Sequence, residues 1–272
     1  MNVLITNKVY YKIFDLSFKG SSHIYNKKNM GPYSLLPNSL EVIHNNRKAI
    51  VNYCQAQNIV ILKQVHGTKI IDADLINDFT TDLEGDGVIT SKNNLVLAIQ
   101  TADCVPILLA SSDGSLIGAA HCGWQGSKAG IVANIVTIMQ AKGAKDICAI
   151  IGPSIQQYSY EVNEEFYNSF VDEREIYVKF FIPSHREKHY MFDLPAYVEL
   201  QLQEAGVHNI HKIAEDTYTT QLSKAIDSNS EELNHTTTEP LDSSIYKYPS
   251  YRRCYHTGEL YNSAILSTII KP

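Results

Sequence analysis

The chain has 272 residues, 44% hydrophobic and 19% charged, which is enough apolar material for a sizeable core and the opposite of the balance that leaves a chain disordered. Its formal net charge of −6, without a clustered Lys/Arg stripe, lacks the electrostatic footprint of a nucleic-acid binder and favours small substrates. No stretch reaches about 18 uninterrupted apolar residues and the N-terminus has no basic region ahead of an apolar core, so the chain is expected in the cytoplasm, away from membranes.

Residues 19–34 are rich in Gly, Ser, Asn and Lys and read as a loop. A helix is predicted over 38–57, with Asn38 and Ser39 as cap candidates and Leu40, Ile43, Val51 and Cys54 turned toward a core. Short apolar strands follow at 59–63, 69–72, 87–90, 95–100, 105–110 and 116–120. The turn signal Ser111-Ser112-Asp113-Gly114 makes the strands on either side antiparallel neighbours. A helix over 127–142 stops at Gly143. Beyond it come a strand at 146–152, a short helix at 163–170, a strand at 176–182, a helix at 194–205 stopped by Gly206, and a strand at 209–214. Residues 225–244 are polar and non-periodic and predict a mobile surface loop. Order resumes at Tyr251-Arg252-Arg253, and a closing helix or strand is expected near 261–270. With no linker between halves, the chain reads as one α+β domain over 1–272.

Several catalytic templates are missing. There is no GxGxxG after a strand, no GxxxxGK[ST], no HExxH and no GxSxG. The five cysteines, Cys54, Cys104, Cys122, Cys148 and Cys254, form no CxxC pair. In a reducing compartment they read as buried hydrophobes, ligands or nucleophiles. Potential ligands stand at strand ends: His66 after the strand ILKQV, Cys104 in a polar interruption of an apolar run, and His121 at the end of LIGAA. Polar groups inside an apolar run are costly without partners. Two imidazoles and a thiolate with an open fourth position would make a catalytic zinc site. The plainer reading stays open at this point, because a lone buried Cys is usually a small hydrophobe and a strand-end His is usually satisfied locally. The separations match no short metal-finger pattern.

The segments QVHG (64–67), DGVIT (86–90), TADCVPILL (101–109), GAAHCGWQGSKAGIV (118–132), IGPSI (151–155) and SYRR (250–253) occur in this order. Together with GPYSLL and Asn46-Arg47 near the N-terminus, they resemble the YfiH family of laccase-domain proteins, also called peptidoglycan editing factors or multicopper polyphenol oxidase-like proteins. The resemblance implies an αββα layered sandwich of mixed sheets. It implies His66, Cys104 and His121 as metal ligands and catalytic residues, with zinc as the cofactor and copper as the alternative. The implied activity is phosphorolysis of adenosine, inosine and methylthioadenosine, with deamination of adenosine beside it. Purine nucleoside and phosphate are then the small-molecule partners.

The candidate substrate-binding set is Arg47, Gln64, Trp124, Arg252 and Arg253. A guanidinium fork matches phosphate bidentately, an indole face stacks on a purine, and Gln64, with Asp103, would orient the ligands. Each arginine reads equally well as a solvated or structural residue, and Trp124 as core packing. The family usually writes HAGWRG and SYRRDG, whereas this chain has Gln125 and Cys254 at the positions of the missing arginine and carboxylate. The Cys-Thr-Tyr common in the family is Asp216-Thr217-Tyr218 here. Two further readings follow from these residues: a cysteine hydrolase editing peptidoglycan precursors, with Cys104 as nucleophile and His66 or His121 as base, and a non-catalytic metal-binding protein.

Overall fold

The structure is a computed structural model describing residues 2–6, 9–14, 40–79, 83–221, 246–258 and 264–272, with side-chain detail from residue 47 on. The loops expected at 19–34 and 225–244 lie outside the described residues.

Two mixed sheets stack face to face. The first runs in the order β1 (Asn2–Thr6), β2 (Val9–Phe14), β14 (Ile265–Lys271), β6 (Leu95–Thr101) and β3 (Asn58–Ile61). The second runs β13 (Asn209–Lys212), β9 (Cys148–Ile151), β7 (Val105–Ala110), β8 (Ile117–Cys122), β5 (Gly87–Thr90) and β4 (Ile70–Asp72). β3 lies parallel to β6, β4 to β5 and β13 to β9; the remaining pairs are antiparallel. The hairpin expected around Asp113 is present, with Ala110 opposite Ile117.

Alternation along each strand sorts its side chains into layers. Val60, Leu97 and Ile99 of the first sheet meet Val88, Leu108, Ile117 and Ile150 of the second. On the outer face of the first sheet, Ile59, Ile61, Val96 and Ala98 pack against Ile50 of α1 (Leu40–Tyr53). On the outer face of the second, Ile107, Leu109, Ala120 and Ile151 meet Ile135 and Met139 of α3 (Ile131–Ala141) and Val198 and Leu202 of α5 (Leu194–Glu204). The result is an αββα sandwich. Its central strands are buried on both faces, which is why they read as near-continuous apolar runs.

Two predicted elements differ. The helix expected over 127–142 is two helices, α2 (Trp124–Lys128) and α3, broken where Gly130 takes φ +96°. Glycine tolerates that left-handed turn at no steric cost. The strand expected at 176–182 is a 3-10 helix over Glu175–Phe180 followed by the short strand β11 (Phe181–Pro183). Tyr177 and Phe180, both buried, are three residues apart, the period of a 3-10 turn rather than of a strand. A small third sheet joins β10 (Glu161–Asn163), β12 (His189–Phe192) and β11 beside α4 (Glu164–Val171). A final helix, α6 (Tyr251–Thr257), is capped by the Ser250 hydroxyl, which accepts from the Arg253 amide at 3.1 Å.

Candidate metal centre

His66 and Cys104 both lie where the chain crosses from the first sheet to the second, His66 between β3 and β4 and Cys104 between β6 and β7. The Gln64 side chain ties the two crossings together. Its amide nitrogen donates to the Gln100 carbonyl at 2.7 Å and its oxygen accepts from the Gln100 N–H at 2.9 Å. His121 lies near the end of β8, opposite Pro106 of β7.

One carboxylate fixes both histidines. His66 sits at φ +61°, a conformation uncommon for a residue with a side chain. Its turn is held by Asp86, which accepts from the amides of Val65 (3.1 Å), His66 (2.9 Å) and Gly67 (2.8 Å). The same carboxylate lies 2.8 Å from His121 Nδ1, which leaves His121 Nε2 for a ligand. Asp86 is fully buried. Burial pushes its carboxyl up, but the bond to His121 and the donated amides outweigh this and hold it below the usual range.

The donor atoms of His66, Cys104 and His121 lie within 4.8 Å of one another. Cys104 Sγ is 3.8 Å from His66 Nε2, and the two imidazole rings meet edge to face with centroids 4.7 Å apart. Burial raises the Cys104 thiol, yet the charge and hydrogen bonds of His121 and His66 overcome it and bring the thiol to about 6. Burial likewise lowers His121, and Cys104 with Asp86 reverses this, lifting it to about 9. The two imidazoles thus favour the Cys104 thiolate, the form that binds metal. Glycine is required next to it: a Cβ at Gly123 would stand 2.9 Å from His66 Cδ2 and 3.1 Å from Cys104 Sγ. Two imidazoles and a thiolate, preset at this spacing by one buried carboxylate, fit a zinc ion, which accepts both nitrogen and sulfur.

The other candidates separate clearly. Arg253 is buried, and its guanidinium donates to the carbonyls of Thr217 (3.0 Å), Tyr218 (2.9 Å) and Tyr248 (2.7 Å) while lying over the Tyr246 ring. Arg252, one residue away, is half-buried, with its guanidinium 4.9 Å from the centroid of Tyr160. Trp124 is half-buried at the start of α2 and packs edge-on against Phe166 at 5.0 Å. Arg47 belongs to α1, in the outer layer behind the first sheet. Asp103, at φ +90°, does not touch the ligand side chains; it accepts from the Thr217 hydroxyl (2.7 Å), the Ser250 hydroxyl (3.0 Å) and the Arg252 amide (2.7 Å). Burial dominates there and raises its carboxyl. Gln125 is exposed, and Cys254 is buried.

Sequence reasoning passed over Asp86 and Tyr160. Asp86 stands between two glycines in a turn signal, where an aspartate is unremarked; the signal available was its place at the head of the short strand Gly87–Thr90, which is buried throughout.

A family model for multi-copper polyphenol oxidoreductase laccase matches residues 14–223. Over 270 residues, 99% of each chain, the sequence is 50% identical to a purine nucleoside phosphorylase of Rickettsia conorii and 48% identical to one of Rickettsia prowazekii. Among solved structures, a Neisseria meningitidis protein superposes with a TM-score of 0.72 at 20% identity, covering 100% of this chain and 98% of that one. The hypothetical protein YfiH of Bacillus licheniformis follows at 0.67 and 22%, covering 97% and 93%. At these identities the likeness shows the fold. Among the described residues no helix is long and apolar enough to cross a membrane.

Proposed function

Because the chain belongs to the multi-copper polyphenol oxidoreductase laccase family, the YfiH family that its motif blocks resemble, we propose that it is a zinc-dependent purine nucleoside phosphorylase acting on adenosine, inosine and methylthioadenosine. The observation that carries this reading is the 50% identity, over 99% of both chains, to a protein named purine nucleoside phosphorylase. The convergence of His66, Cys104 and His121 supports it.

Those three residues would hold the zinc, with copper as the alternative. When bound, zinc supplies Lewis-acid chemistry, polarising an oxygen or lowering the pKa of water. Asp86 keeps the His121 ring in the orientation that presents Nε2. The phosphate falls to Arg252 rather than Arg253. Arg253's donors are committed to backbone carbonyls, whereas the Arg252 guanidinium has no hydrogen bond or ion pair with the described residues. A planar fork of this kind orients phosphate through two parallel N–H bonds. The partly exposed Trp124 indole is the surface for the purine base. Gln64 serves the site by locking the two crossings that carry His66 and Cys104.

Incubating the protein with inosine and phosphate is expected to release hypoxanthine, detected by chromatography, only when phosphate is present and about one zinc per chain is bound. No base released from inosine or adenosine would end the phosphorylase reading. Ammonia released from adenosine alone would add the deaminase activity.

A second reading rests on one observation: the Cys104 thiolate has His66 Nε2 3.8 Å away, the pairing of a cysteine nucleophile and its base. It would suit hydrolytic editing of peptidoglycan precursors. A Cys104→Ala variant separates the two, since the phosphorylase reading requires it to lose zinc, whereas a nucleophile could be removed with the metal still bound. Bound zinc with neither activity would point to a non-catalytic metal-binding protein.

A further inference from the structure

Tyr160 closes the side of the site that carries Arg252. Its ring is packed on one flank by Phe192 and Phe166, with centroids 5.6 and 6.4 Å away, and receives the Arg252 guanidinium at 4.9 Å. Its backbone is pinned at both groups, the N–H donating to the Gln157 carbonyl at 3.1 Å and the carbonyl accepting from the Phe192 N–H at 2.9 Å. The 3-10 turn before it is anchored by Asp216, which accepts from the Ser159 hydroxyl at 2.5 Å and the Gln156 amide at 3.3 Å. Thr217, the next residue, donates to Asp103, which also accepts from the Arg252 amide. The ring and the guanidinium are thus held by one connected set of loops adjoining Cys104.

The hydroxyl is the uncommitted part. Tyr160 is half-buried, and no described residue hydrogen-bonds its hydroxyl, so its O–H is left for a ligand. Burial first, and then the negative charges of Cys104 and Asp103, keep it protonated. It is a neutral O–H donor beside an arginine whose guanidinium has no acceptor among the described residues.

We propose that the Tyr160 hydroxyl and the Arg252 guanidinium together form the seat for the phosphate co-substrate, Tyr160 donating one hydrogen bond to a phosphate oxygen and its ring aligning the guanidinium that supplies the others. This rests on the phosphorylase reading. It gives that reading a second phosphate-binding residue beside Arg252.

The test uses the zinc-loaded full-length protein as wild type, Tyr160→Phe and Arg252→Ala. Phenylalanine keeps the packing on Phe192 and the stacking on Arg252 and removes only the donor. The KM for phosphate is expected to rise about tenfold or more in Tyr160→Phe, the worth of a hydrogen bond to a charged group, and at least as much in Arg252→Ala. Zinc content and the KM for inosine should stay as in wild type. A purely structural tyrosine would instead lower kcat and disturb zinc content and both KM values together. A phosphate KM in Tyr160→Phe within about twofold of wild type overturns the proposal. Calorimetric titration with inorganic phosphate alone decides the matter separately from turnover. If the wild type releases no base yet binds phosphate more tightly than Tyr160→Phe, the phosphorylase reading fails and the seat stands. Equal binding, or none by the wild type, removes the seat.

Discussion

Asp86 and Asp103 are both buried aspartates beside the same cluster of loops, and each carboxylate accepts several hydrogen bonds. Asp86 takes three backbone amides from the His66 turn and faces His121 Nδ1, so its partners belong to the proposed metal ligands. Asp103 takes Thr217, Ser250 and the Arg252 amide, so its partners are the segment that carries Arg252 and the loop that anchors the Tyr160 turn. Their acidities part accordingly. The His121 ring and converging amides hold Asp86 below the usual range against its burial, whereas burial prevails at Asp103 and raises it. The contrast divides the site into a proposed metal wall and a proposed substrate wall, joined at the backbone between Asp103 and Cys104.

The largest effect is expected from the ligands that Asp86 serves. Cys104→Ala or His121→Ala should abolish stoichiometric zinc and with it phosphorolysis, measured by elemental analysis and base release; full zinc retention in both would show that the triad is not the binding set. Asp86→Asn comes next. It replaces an acceptor oxygen by an amide facing donors, and should weaken zinc about 10–100-fold in a chelator competition, with wild-type affinity counting against its role. Asp103→Asn should leave zinc affinity within a few-fold of wild type while lowering the free energy of unfolding by about 1–3 kcal/mol, read from urea titrations of the metal-free protein. Parallel losses of zinc in both aspartate variants would erase the distinction between the walls.

The smallest effect is in the acid limb of stability. A carboxyl depressed in the fold stabilises above its unfolded value near 3.9, and that stability is lost as pH falls. A carboxyl raised in the fold works the other way, since the folded state binds the proton more readily and stability falls as pH rises from the unfolded toward the folded value. Metal-free Asp86→Asn should therefore lose stability less steeply on acidification than wild type, and Asp103→Asn more steeply. Urea midpoints between pH 6 and pH 3 check the signs; slopes that move together would contradict the opposed acidities.

Much of the sandwich was legible because its strands are buried on both faces. The run at 87–90 became β5 with the expected limits, and α5 ended within a residue of its expected limit at Ala205. The helix break at Gly130 was hidden because the apolar positions that signal a helix begin only at Ile131, leaving nothing upstream to mark a break, and the segment 176–182 because its aromatic residues suit strand and 3-10 helix alike. At the site, spacing alone left the ligands ambiguous, and only the ordered motif blocks singled out His66, Cys104 and His121. Arg252 and Arg253 look equivalent in the sequence. On α6, a rotation of about 100° per residue sends one into a nest of carbonyls and leaves the other on the Tyr160 ring. Asp86 escaped notice because its four partners come from two distant stretches of chain, a convergence that no local pattern records.

The two crossings that carry His66 and Cys104 have a thermodynamic corollary. Each leaves one sheet and enters the other, so an ion gripped by both engages only a chain in which the sheets have already stacked. If that ion is zinc, mass action ties the stability of the native state to free zinc: a concentration of about 1,000 times Kd adds about 4.1 kcal/mol. Metal supply in the cell would set how much of this protein survives, as well as how much of it turns over.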